Sequence, residues 1–357
     1  MPGQSDKPLK GRGATLSPNN RYAEHRREAV DDGWGNQDEA PAPLHTSLTV
    51  DKSSRIITYN DSPDVPFDRS INPYKGCEHG CVYCFARPTH AWLDLSPGLD
   101  FESRLFYKPD TVALLKKELS AKSYSCAPIA VGANTDAYQP VEKQLQLTRG
   151  VLETLLAARH PFVIITKSAL IERDLDLLQA AARLQLVHVY LSMTTLDKEL
   201  ARRLEPRAAS PARRLACMRR LHEAGIPVNV LVAPIIPVLT ETELETILAE
   251  SRAQGARAAG YILLRLPHEL KQLFRDWLQC HYPNRVEHVM NRISEMHGGR
   301  EYDHQYGQRM RGVGLYADML AKRFNLALKK LGYAQSVPLD SRRFNPSVFA
   351  AQYSLFD

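Results

Sequence analysis

The sequence predicts an α/β protein, a partial (βα)6 barrel that is followed by a helical C-terminal extension. Short apolar runs alternate with amphipathic helical stretches between residues 70 and 266. This alternation is typical of a parallel sheet with crossover helices, and the runs supply six strands. Beyond residue 266 the apolar residues follow helical spacing only, which predicts a purely helical segment.

The composition indicates a globular protein of a reducing compartment. Of the 357 residues, 44% are hydrophobic and 24% are charged, which suits one main domain with appendages. No apolar run reaches the roughly 18 residues of a membrane span, and the N-terminus lacks the apolar core of a secretory signal. The six cysteines do not resemble a disulfide framework, because three of them stand singly. We therefore expect a cytoplasmic protein without a membrane partner.

The chain before the first barrel strand contains two predicted parts. Residues 1–45 are rich in Gly, Pro, Asn and charge without apolar periodicity, which predicts a flexible N-terminal tail. The runs "SLTV" (47–50) and "RIITY" (55–59) predict a short hairpin at the start of the main domain, residues 46–266. "SINPY" (70–74) is the first predicted barrel strand, and residues 76–85 follow it as a cysteine-rich loop, called the cysteine loop below.

Five more strands are predicted after the cysteine loop, each preceded by a helical stretch. They span residues 128–133, 162–166, 187–193, 226–234 and 260–266. Thr240 and Glu243 have the spacing of a capping box, and Gly225 and Gly255 stand where helices should end. The C-terminal part divides into a helical extension, residues 267–340, and a tail, residues 341–357.

The cysteine loop, "GCEHGCVYCF", contains Cys77, Cys81 and Cys84. Thiolates bind zinc and iron–sulfur clusters, and a closed zinc site usually takes four ligands from two separated cysteine pairs. No second pair follows in this chain. Three thiolates would leave one corner of a four-iron cluster open for a substrate or cofactor. A zinc ion with His79 or His90 as the fourth ligand is the alternative.

The spacing C-x3-C-x2-C, with the aromatic Tyr83 before the third cysteine, resembles the signature of the radical S-adenosylmethionine superfamily. The resemblance implies a full or partial (βα) barrel with a 4Fe-4S cluster in the loop after strand one, and Cys77, Cys81 and Cys84 as its ligands. It also implies that the open iron binds S-adenosylmethionine. Reduction then releases a 5′-deoxyadenosyl radical that abstracts a hydrogen atom from the substrate. An electron donor such as flavodoxin or ferredoxin is the implied partner.

Polar side chains at the strand exits are the candidate cofactor ligands, because barrel enzymes place their chemistry at this edge. The resemblance implies that Tyr83 lies against the adenine; it could instead be a packed aromatic that shields the cluster. Lys167 is expected to meet a carboxylate of the cofactor. Ser192 and Thr194 could bind its ribose or methionine part, or could satisfy local backbone groups.

Two further exits carry candidates whose alternatives stay open. Arg207 could hold a carboxylate in bidentate fashion, or it could pair with Glu205. Asn134 and Asp136, together with Tyr138 and Gln139, could bind the substrate or the amino group of the cofactor. Asp136 could equally shape a turn.

Within the superfamily the sequence resembles the branch of spore photoproduct lyase and the DNA-repair-photolyase-like proteins. "SCAPIAVGANTD" places Cys126 before a "VG" strand, where that enzyme keeps a hydrogen-donating cysteine. "ITKS" and "YLSMTT" place Lys167 and Ser192 where its lysine and serine meet S-adenosylmethionine. The resemblance implies a lyase-like or modifying enzyme of DNA repair with Cys126 as the hydrogen donor. A small buried apolar residue is the alternative for Cys126.

Two features favour DNA or RNA as the partner. Residues 202–220 hold seven arginines, and residues 300–343 hold nine Lys or Arg against four acids, which suits a phosphate backbone or a solvated helix face. The C-terminal "QYSLFD" resembles the peptide by which bacterial DNA enzymes bind the sliding clamp, through Gln352, Leu355 and Phe356; a tail folded on its own domain is the alternative. The rival functions are radical modification of a peptide or small metabolite, and a non-catalytic zinc-stabilised nucleic-acid-binding protein.

Overall fold

The computed structural model of the protein describes residues 11–22 and 44–349. These residues contain ten strands, numbered in chain order. The strands are β1 (Ser47–Val50), β2 (Ile57–Tyr59), β3 (Arg69–Ile71), β4 (Tyr74–Lys75), β5 (Arg104–Tyr107), β6 (Ile129–Val131), β7 (Phe162–Thr166), β8 (Val187–Met193), β9 (Val228–Ile235) and β10 (Ala259–Leu263). Seven of them form the main sheet in the order β10-β9-β8-β7-β6-β3-β2.

The six predicted barrel strands are confirmed. β3, β6, β7, β8, β9 and β10 are parallel neighbours in the main sheet, and β7 and β8 span the predicted residues. Nearly all residues of β8 and β9 are buried, as in a parallel sheet that is covered on both faces, which is why continuous apolar runs mark these strands. Within the described residues β10 and β2 are free edges of the sheet, so the barrel is partial.

The hairpin predicted over residues 47–59 is wrong. β1 pairs in parallel with β5, and β4 completes this separate three-stranded sheet, whereas β2 pairs antiparallel with β3. The connecting "DKSS" lacks the glycine or asparagine that a tight hairpin turn requires. Burial of Ile57 beside Ile71 in the main sheet outweighs local pairing with β1, whose residues are all exposed.

Helices cover the sheet and form the C-terminal extension. The α-helices of the described residues are α1 (Leu99–Ser103), α2 (Thr111–Leu119), α3 (Glu142–Leu145), α4 (Leu147–Ala157), α5 (Leu175–Arg183), α6 (Lys198–Leu204), α7 (Pro211–Glu223), α8 (Leu244–Ala253), α9 (Leu270–His281), α10 (Val286–Met296) and α11 (Gly314–Lys330). None of these helices is long and apolar enough to cross a membrane.

Local sequence signals explain several helix ends. Asp197 caps α6 by accepting hydrogen bonds from the backbone N–H groups of Glu199 (2.8 Å) and Leu200 (3.1 Å). Ser210 caps α7 in the same way. Gly225 adopts a φ of +77° immediately after α7, which confirms the predicted helix end.

The capping box predicted at Thr240 and Glu243 is wrong. Thr240 Oγ1 accepts a hydrogen bond from Ile236 N (2.8 Å), which belongs to the loop after β9. Glu243 accepts hydrogen bonds from Thr195 Oγ1 (2.5 Å) and Leu196 N (2.6 Å), which follow β8. Both side chains therefore form hydrogen bonds with the loops after β8 and β9 instead of capping the helix, because the buried backbone groups of these loops need partners.

Two apolar clusters stabilise the fold. The larger lies between the main sheet and its covering helices, and it includes Leu320 and Phe324 of α11. The smaller packs α9 and α10 against the cysteine loop, with Trp277, Ile293 and Val82 all buried. The predicted helical extension is therefore confirmed, and its first two helices bury one side of the cysteine loop.

Part of the predicted N-terminal tail packs against the same loop. Ala14 is buried, and Gly13 approaches Gly80 closely. A Cβ atom on Gly13 would lie 1.8 Å from the carbonyl oxygen of Gly80, so only glycine fits here. Residues 11–22 thus form part of the wall around the cysteine loop.

Candidate active site

A cleft opens at the carboxyl end of the parallel strands. It contains about 1050 Å³ that protein atoms do not fill, part of it open to solvent, which is enough for a nucleoside-sized ligand. The three thiols of the cysteine loop lie on its wall. The strands contribute Gly132 and Asn134 after β6, Lys167 after β7, Ser192 in β8, Pro234 in β9 and Arg265 after β10.

Backbone contacts fix the cysteine loop at this cleft. Gly76 adopts a φ of +80°, and a Cβ atom there would lie 2.9 Å from the carbonyl oxygen of Phe101, so the position requires glycine. Cys77 N donates a hydrogen bond to the same Phe101 oxygen (2.9 Å), and Val82 N donates to Leu204 O (3.0 Å). The loop is therefore held from both sides independently of any metal.

A buried ion pair, Arg87 with Glu102, lies behind the cysteine loop. Neither side chain is exposed. Arg87 also donates hydrogen bonds to the carbonyl oxygens of Gly80 (3.1 Å) and Cys81 (2.9 Å). Glu102 accepts hydrogen bonds from the backbone N–H groups of residues 13–14 (3.0 and 2.8 Å). This pair therefore connects the N-terminal segment to the backbone that carries the thiols.

The donor set of the cysteine loop suits an iron–sulfur cluster. The thiols of Cys77, Cys81 and Cys84 are free, and burial raises the pKa of each, to about 12 for Cys81. A metal would offset this penalty because it stabilises the thiolate. In residues 11–22 and 44–349, no three His, Cys, Asp or Glu side chains are grouped so that they could hold a single metal ion. Cluster thiolates bind different iron atoms and lie farther apart.

Tyr83 belongs to the cleft wall, and buried polar groups hold its hydroxyl. The hydroxyl lies 3.0 Å from Thr194 Oγ1 and donates a hydrogen bond to Glu205, whose other oxygen pairs with Arg214. Burial opposes the charge on Glu205, but Arg214 and Lys167 outweigh it and lower the pKa of Glu205 to about 2. The hydroxyl is thus occupied, and the ring is the part of Tyr83 that a ligand can meet.

Lys167 and Ser192 offer polar atoms to the cleft. Lys167 Nζ lies 3.4 Å from Ala233 O and 5.7 Å from the centre of the Tyr83 ring, and no carboxylate of the described chain lies within ion-pair distance of it. The Ser192 hydroxyl also lacks a hydrogen-bond partner in this part of the chain, whereas its carbonyl oxygen accepts a bond from Arg214. Both groups are therefore available to a ligand.

Asp136 is occupied by the protein itself. Its carboxylate accepts hydrogen bonds from Thr166 Oγ1 and Lys167 N, both at 2.7 Å, and lies 3.3 Å from His79 Nδ1, outside hydrogen-bond geometry. Burial opposes its charge, but these partners outweigh burial and lower the pKa of Asp136 to about 2. The contacts favour the alternative in which Asp136 shapes its loop. Asn134 is exposed in the cleft and is the better candidate for ligand contact.

Arg207 and Thr194 are not among the described residues that line the cleft, and their contacts with the cofactor stay predictions. Arg207 forms an ion pair with Glu78 at 3.0 Å, and its backbone N–H donates to His79 O. Thr194 Oγ1 donates to Ala233 O (2.9 Å) and contacts the Tyr83 hydroxyl. Arg207 therefore supports the cysteine loop, and Thr194 supports Tyr83.

Cys126, the predicted hydrogen donor, is not among the described residues that line the cleft. This residue precedes β6, so it lies at the amino end of a parallel strand, whereas the cleft lies at the carboxyl end. Its neighbours are Arg69, at the start of β3, and Ser341 of the C-terminal segment, and burial raises its pKa to about 11. Cys126 is therefore a partly buried thiol at the amino end of β6, and its role as hydrogen donor stays a prediction.

Much of the arginine-rich segment 202–220 is paired internally. Four of its seven arginines form ion pairs with carboxylates of the described chain. The paired residues are Arg207 with Glu78, Arg213 and Arg220 with Glu172, and Arg214 with Glu205. This segment is thus a weaker indication of nucleic-acid binding than its composition suggests.

Arg265 and Phe85 are cleft residues that the sequence analysis did not single out. The Arg265 guanidinium lies 4.4 Å from the centre of the Phe85 ring. Their positions were the available signal, because Arg265 lies near the end of the last predicted strand and Phe85 directly follows Cys84. The two residues are distant in sequence, so no local sequence pattern predicts their contact.

Residues 302–311 bridge the open side of the sheet. Leu263 N, on the free edge of β10, donates a hydrogen bond to Met310 O (2.9 Å). Arg309 pairs with Asp64 of the loop after β2 at 2.5 Å. The bridging segment, residues 302–311, therefore closes the gap between the two sheet edges and places Met310 on the cleft wall.

Gly132→Ala should destabilise the protein more than its control, Gly225→Ala. Both glycines have positive φ values, +81° and +77°, so both substitutions carry a backbone cost of about 1–2 kcal/mol. A Cβ atom at Gly132 would also lie 2.9 Å from Ile165 O, whereas nothing lies within 4 Å of one at Gly225. We expect Gly132→Ala to lose about 1–3 kcal/mol more of the free energy of unfolding. Denaturant titration measures both losses, and equal losses would contradict the observed packing.

Comparison with known proteins places this site in a family. The sequence profile of the Radical SAM superfamily matches residues 71–250, which include the cysteine loop. An uncharacterized protein of Mycobacterium tuberculosis is 38% identical over 250 residues, which cover 69% of this chain and 74% of the relative. An uncharacterized protein of Methanocaldococcus jannaschii is 29% identical over 225 residues, which cover 63% of this chain and 80% of the relative.

Solved structures with a similar fold include spore photoproduct lyase. Its complex with dinucleoside spore photoproduct aligns with a TM-score of 0.58 at 17% identity, over 80% of this chain and 78% of that chain. A mutant of the same enzyme with bound AdoMet and this dinucleoside aligns with a TM-score of 0.57 at 18% identity, over 80% of this chain and 79% of that chain. At such identities the similarity shows a shared fold. The superfamily match implies S-adenosylmethionine and an iron–sulfur cluster as cofactors. The profile match and the shared fold together show that the chain belongs to the radical SAM superfamily and is a radical SAM enzyme.

Proposed function

We propose that the enzyme binds a 4Fe-4S cluster through Cys77, Cys81 and Cys84 and repairs or modifies a nucleic-acid component. Bound and reduced, the cluster would supply the electron that cleaves S-adenosylmethionine into a 5′-deoxyadenosyl radical for hydrogen abstraction. The observation that carries this proposal is the cleft itself. Three thiols, of which two belong to buried cysteines and that of Cys84 to a partly buried one, share one wall at the carboxyl edge of a parallel sheet, where barrel enzymes place their chemistry.

The other cleft residues would orient the cofactor. The Lys167 ammonium, which has no carboxylate partner in the described part of the chain, would bind the carboxylate of S-adenosylmethionine. The Ser192 hydroxyl would bind its ribose or methionine part, and the Tyr83 ring would lie along its adenine. Because Glu205 and Thr194 hold the Tyr83 hydroxyl, this ring is positioned before the cofactor arrives.

Support for a nucleic-acid substrate comes from the fold neighbours. One of them, spore photoproduct lyase, is described in complex with a dinucleoside lesion, and its fold extends over four fifths of this chain. The cleft adds an aromatic ring, Phe85, and a guanidinium, Arg265, that has no ion-pair partner among the described residues. Stacking rings and guanidinium groups are the usual means of binding a base and its phosphate.

The proposal includes two protein partners, which would connect the enzyme to DNA repair. An electron donor such as flavodoxin or ferredoxin would reduce the cluster. The C-terminal peptide with Gln352, Leu355 and Phe356 would bind the bacterial sliding clamp in a hydrophobic groove. These three residues lie outside the residues that the structure describes, so this part rests on the sequence motif.

Anaerobic reconstitution tests the proposal. We expect a brown protein with about four iron and four sulfide per chain, which forms 5′-deoxyadenosine only with reductant and S-adenosylmethionine. Deuterated DNA or RNA should transfer label into the 5′-deoxyadenosine, and its binding should weaken steeply with salt. A colourless protein would contradict the cluster. Label transfer from deuterated peptides or metabolites, with none from nucleic acid, would contradict the substrate class.

A further inference from the structure

Arg265 is a cation in the cleft that forms no ion pair with residues 11–22 or 44–349. Its side chain lines the cleft, and no carboxylate or hydrogen-bond acceptor of the described residues lies within bonding distance of its guanidinium. The nearby Arg309, in contrast, pairs with Asp64 at 2.5 Å. A guanidinium carries five N–H donors, and a partly buried one without acceptors is costly. Burial accordingly lowers the pKa of Arg265.

The Phe85 ring orients this guanidinium. The two groups lie 4.4 Å apart, and the ring is 41% exposed, so it forms a platform at the mouth of the cleft. Stacking on a ring leaves the N–H edges of a guanidinium free to bind an anion in bidentate fashion. Because Phe85 directly follows Cys84, such an anion would lie beside the thiols.

Apolar side chains line the cleft near this cation. Val65 and Phe67 come from the loop after β2, and Met310 comes from the bridging segment. A ligand complementary to this part of the cleft would carry an anionic group for Arg265 and a flat apolar group for these side chains. A nucleotide has both parts, since its base stacks on aromatic and apolar side chains and its phosphate accepts paired hydrogen bonds from an arginine.

We propose that Arg265 binds a phosphate of a nucleotide substrate and thereby positions this substrate beside the cofactor. The inference rests on the proposed function, because it assigns a substrate contact in the same cleft. Lys167 and Arg265 follow different strands, β7 and β10, which are separated in the sheet by β8 and β9. The cleft therefore provides one cation for the carboxylate of the cofactor and a separate one for the substrate.

Two dinucleotides test this inference directly. Thymidylyl-(3′,5′)-thymidine carries one phosphate charge, and its methylphosphonate analogue carries none. We would titrate both into the reconstituted enzyme with S-adenosylmethionine and follow binding by saturation-transfer NMR. The wild-type enzyme should bind the charged dinucleotide roughly tenfold to hundredfold more tightly. Arg265→Gln should bind both equally, and Arg265→Lys, which keeps the charge without the planar fork, should recover part of the difference.

Arg219→Gln is the matched control, because it removes an exposed arginine charge from α7 and should preserve the discrimination. Unchanged binding of S-adenosylmethionine by Arg265→Gln would show that this variant is folded. Equal binding of the two dinucleotides by the wild-type enzyme, no binding of either, or preserved discrimination in Arg265→Gln would each overturn the inference.

The affinity for S-adenosylmethionine separates the two possible sources of the anion. A large loss of this affinity in Arg265→Gln, with dinucleotide discrimination intact, would assign Arg265 to the carboxylate of the cofactor and overturn the inference. Iron content and cofactor cleavage in the wild-type enzyme test the proposed function separately. If both are normal and the dinucleotide experiment fails, only the role of Arg265 is wrong.

Discussion

Substitution of Cys84 by alanine should abolish 5′-deoxyadenosine formation and deplete iron from protein purified without air. Cys84 lies on the cleft wall with Cys77 and Cys81, and the proposed function makes these thiolates the protein ligands of the cluster. Loss of a group that merely orients a metal ligand already costs roughly 10- to 100-fold in affinity or activity. Loss of a ligand itself should therefore exceed roughly a hundredfold, because the cluster loses one of its attachments.

Two other cysteines supply controls for this experiment. Cys280 is exposed on α9, and Cys217 is buried in α7 away from the cleft, so neither should affect the cluster. Cys280→Ala should match the wild type throughout, and Cys217→Ala should retain iron and activity at some cost in stability. Iron and sulfide assays, electron paramagnetic resonance and chromatography of 5′-deoxyadenosine supply the measurements. Full iron content in Cys84→Ala, or equal loss in Cys280→Ala, would refute the ligand assignment.

The sheet was predictable because its strands are buried on both faces. β7 and β8 carry continuous apolar, β-branched runs, and both strands span the predicted residues. The order of strands in the main sheet follows the chain from β6 to β10, as repeated strand–helix units require. The cysteine loop was predictable for a different reason, since three thiols within eight residues indicate a metal or cluster site.

Features that depend on tertiary contacts were not predictable in the same way. The residues of β1 and β2 have strand propensity, but strand propensity does not determine which strands pair. In the structure the two strands belong to different sheets. Glu243 lies three residues after Thr240, as a capping box requires. Its carboxylate instead accepts hydrogen bonds from the Thr195 hydroxyl and the Leu196 backbone N–H, which follow β8. The position of Cys126 before β6, by contrast, was predictable from the sequence, and it lies at the amino end of that strand.

Contacts between distant residues explain the rest of the site. Arg87 and Glu102 are separated by 15 positions, and Glu102 receives hydrogen bonds from backbone groups almost 90 positions away. The sequence could not indicate that a glutamate of α1 and an arginine after Cys84 meet behind the cysteine loop. The pair is detectable only in the structure, through the complete burial of both side chains.

Glu102→Ala should lower the free energy of unfolding by about 3–5 kcal/mol, because it leaves the Arg87 guanidinium buried without its counterion. It also removes the acceptor for the two backbone N–H groups of residues 13–14. Denaturant titration followed by circular dichroism measures the loss, and limited proteolysis near Arg21 reports release of residues 11–22. Glu287→Ala is the control, since its pair with Arg275 at 3.1 Å is largely exposed and should contribute at most about 1 kcal/mol.

The double variant Arg87→Met/Glu102→Leu separates charge burial from support of the cysteine loop. Removal of both charges eliminates the uncompensated guanidinium, so its stability should exceed that of Glu102→Ala. The carbonyl oxygens of Gly80 and Cys81 lose their donor in the double variant, because Arg87 supplies both hydrogen bonds. Iron retention should therefore remain impaired even where stability recovers. Recovery of both would show that the pair stabilises the fold without positioning the thiols. A Glu102→Ala protein as stable as Glu287→Ala would show that the pair does not stabilise the fold.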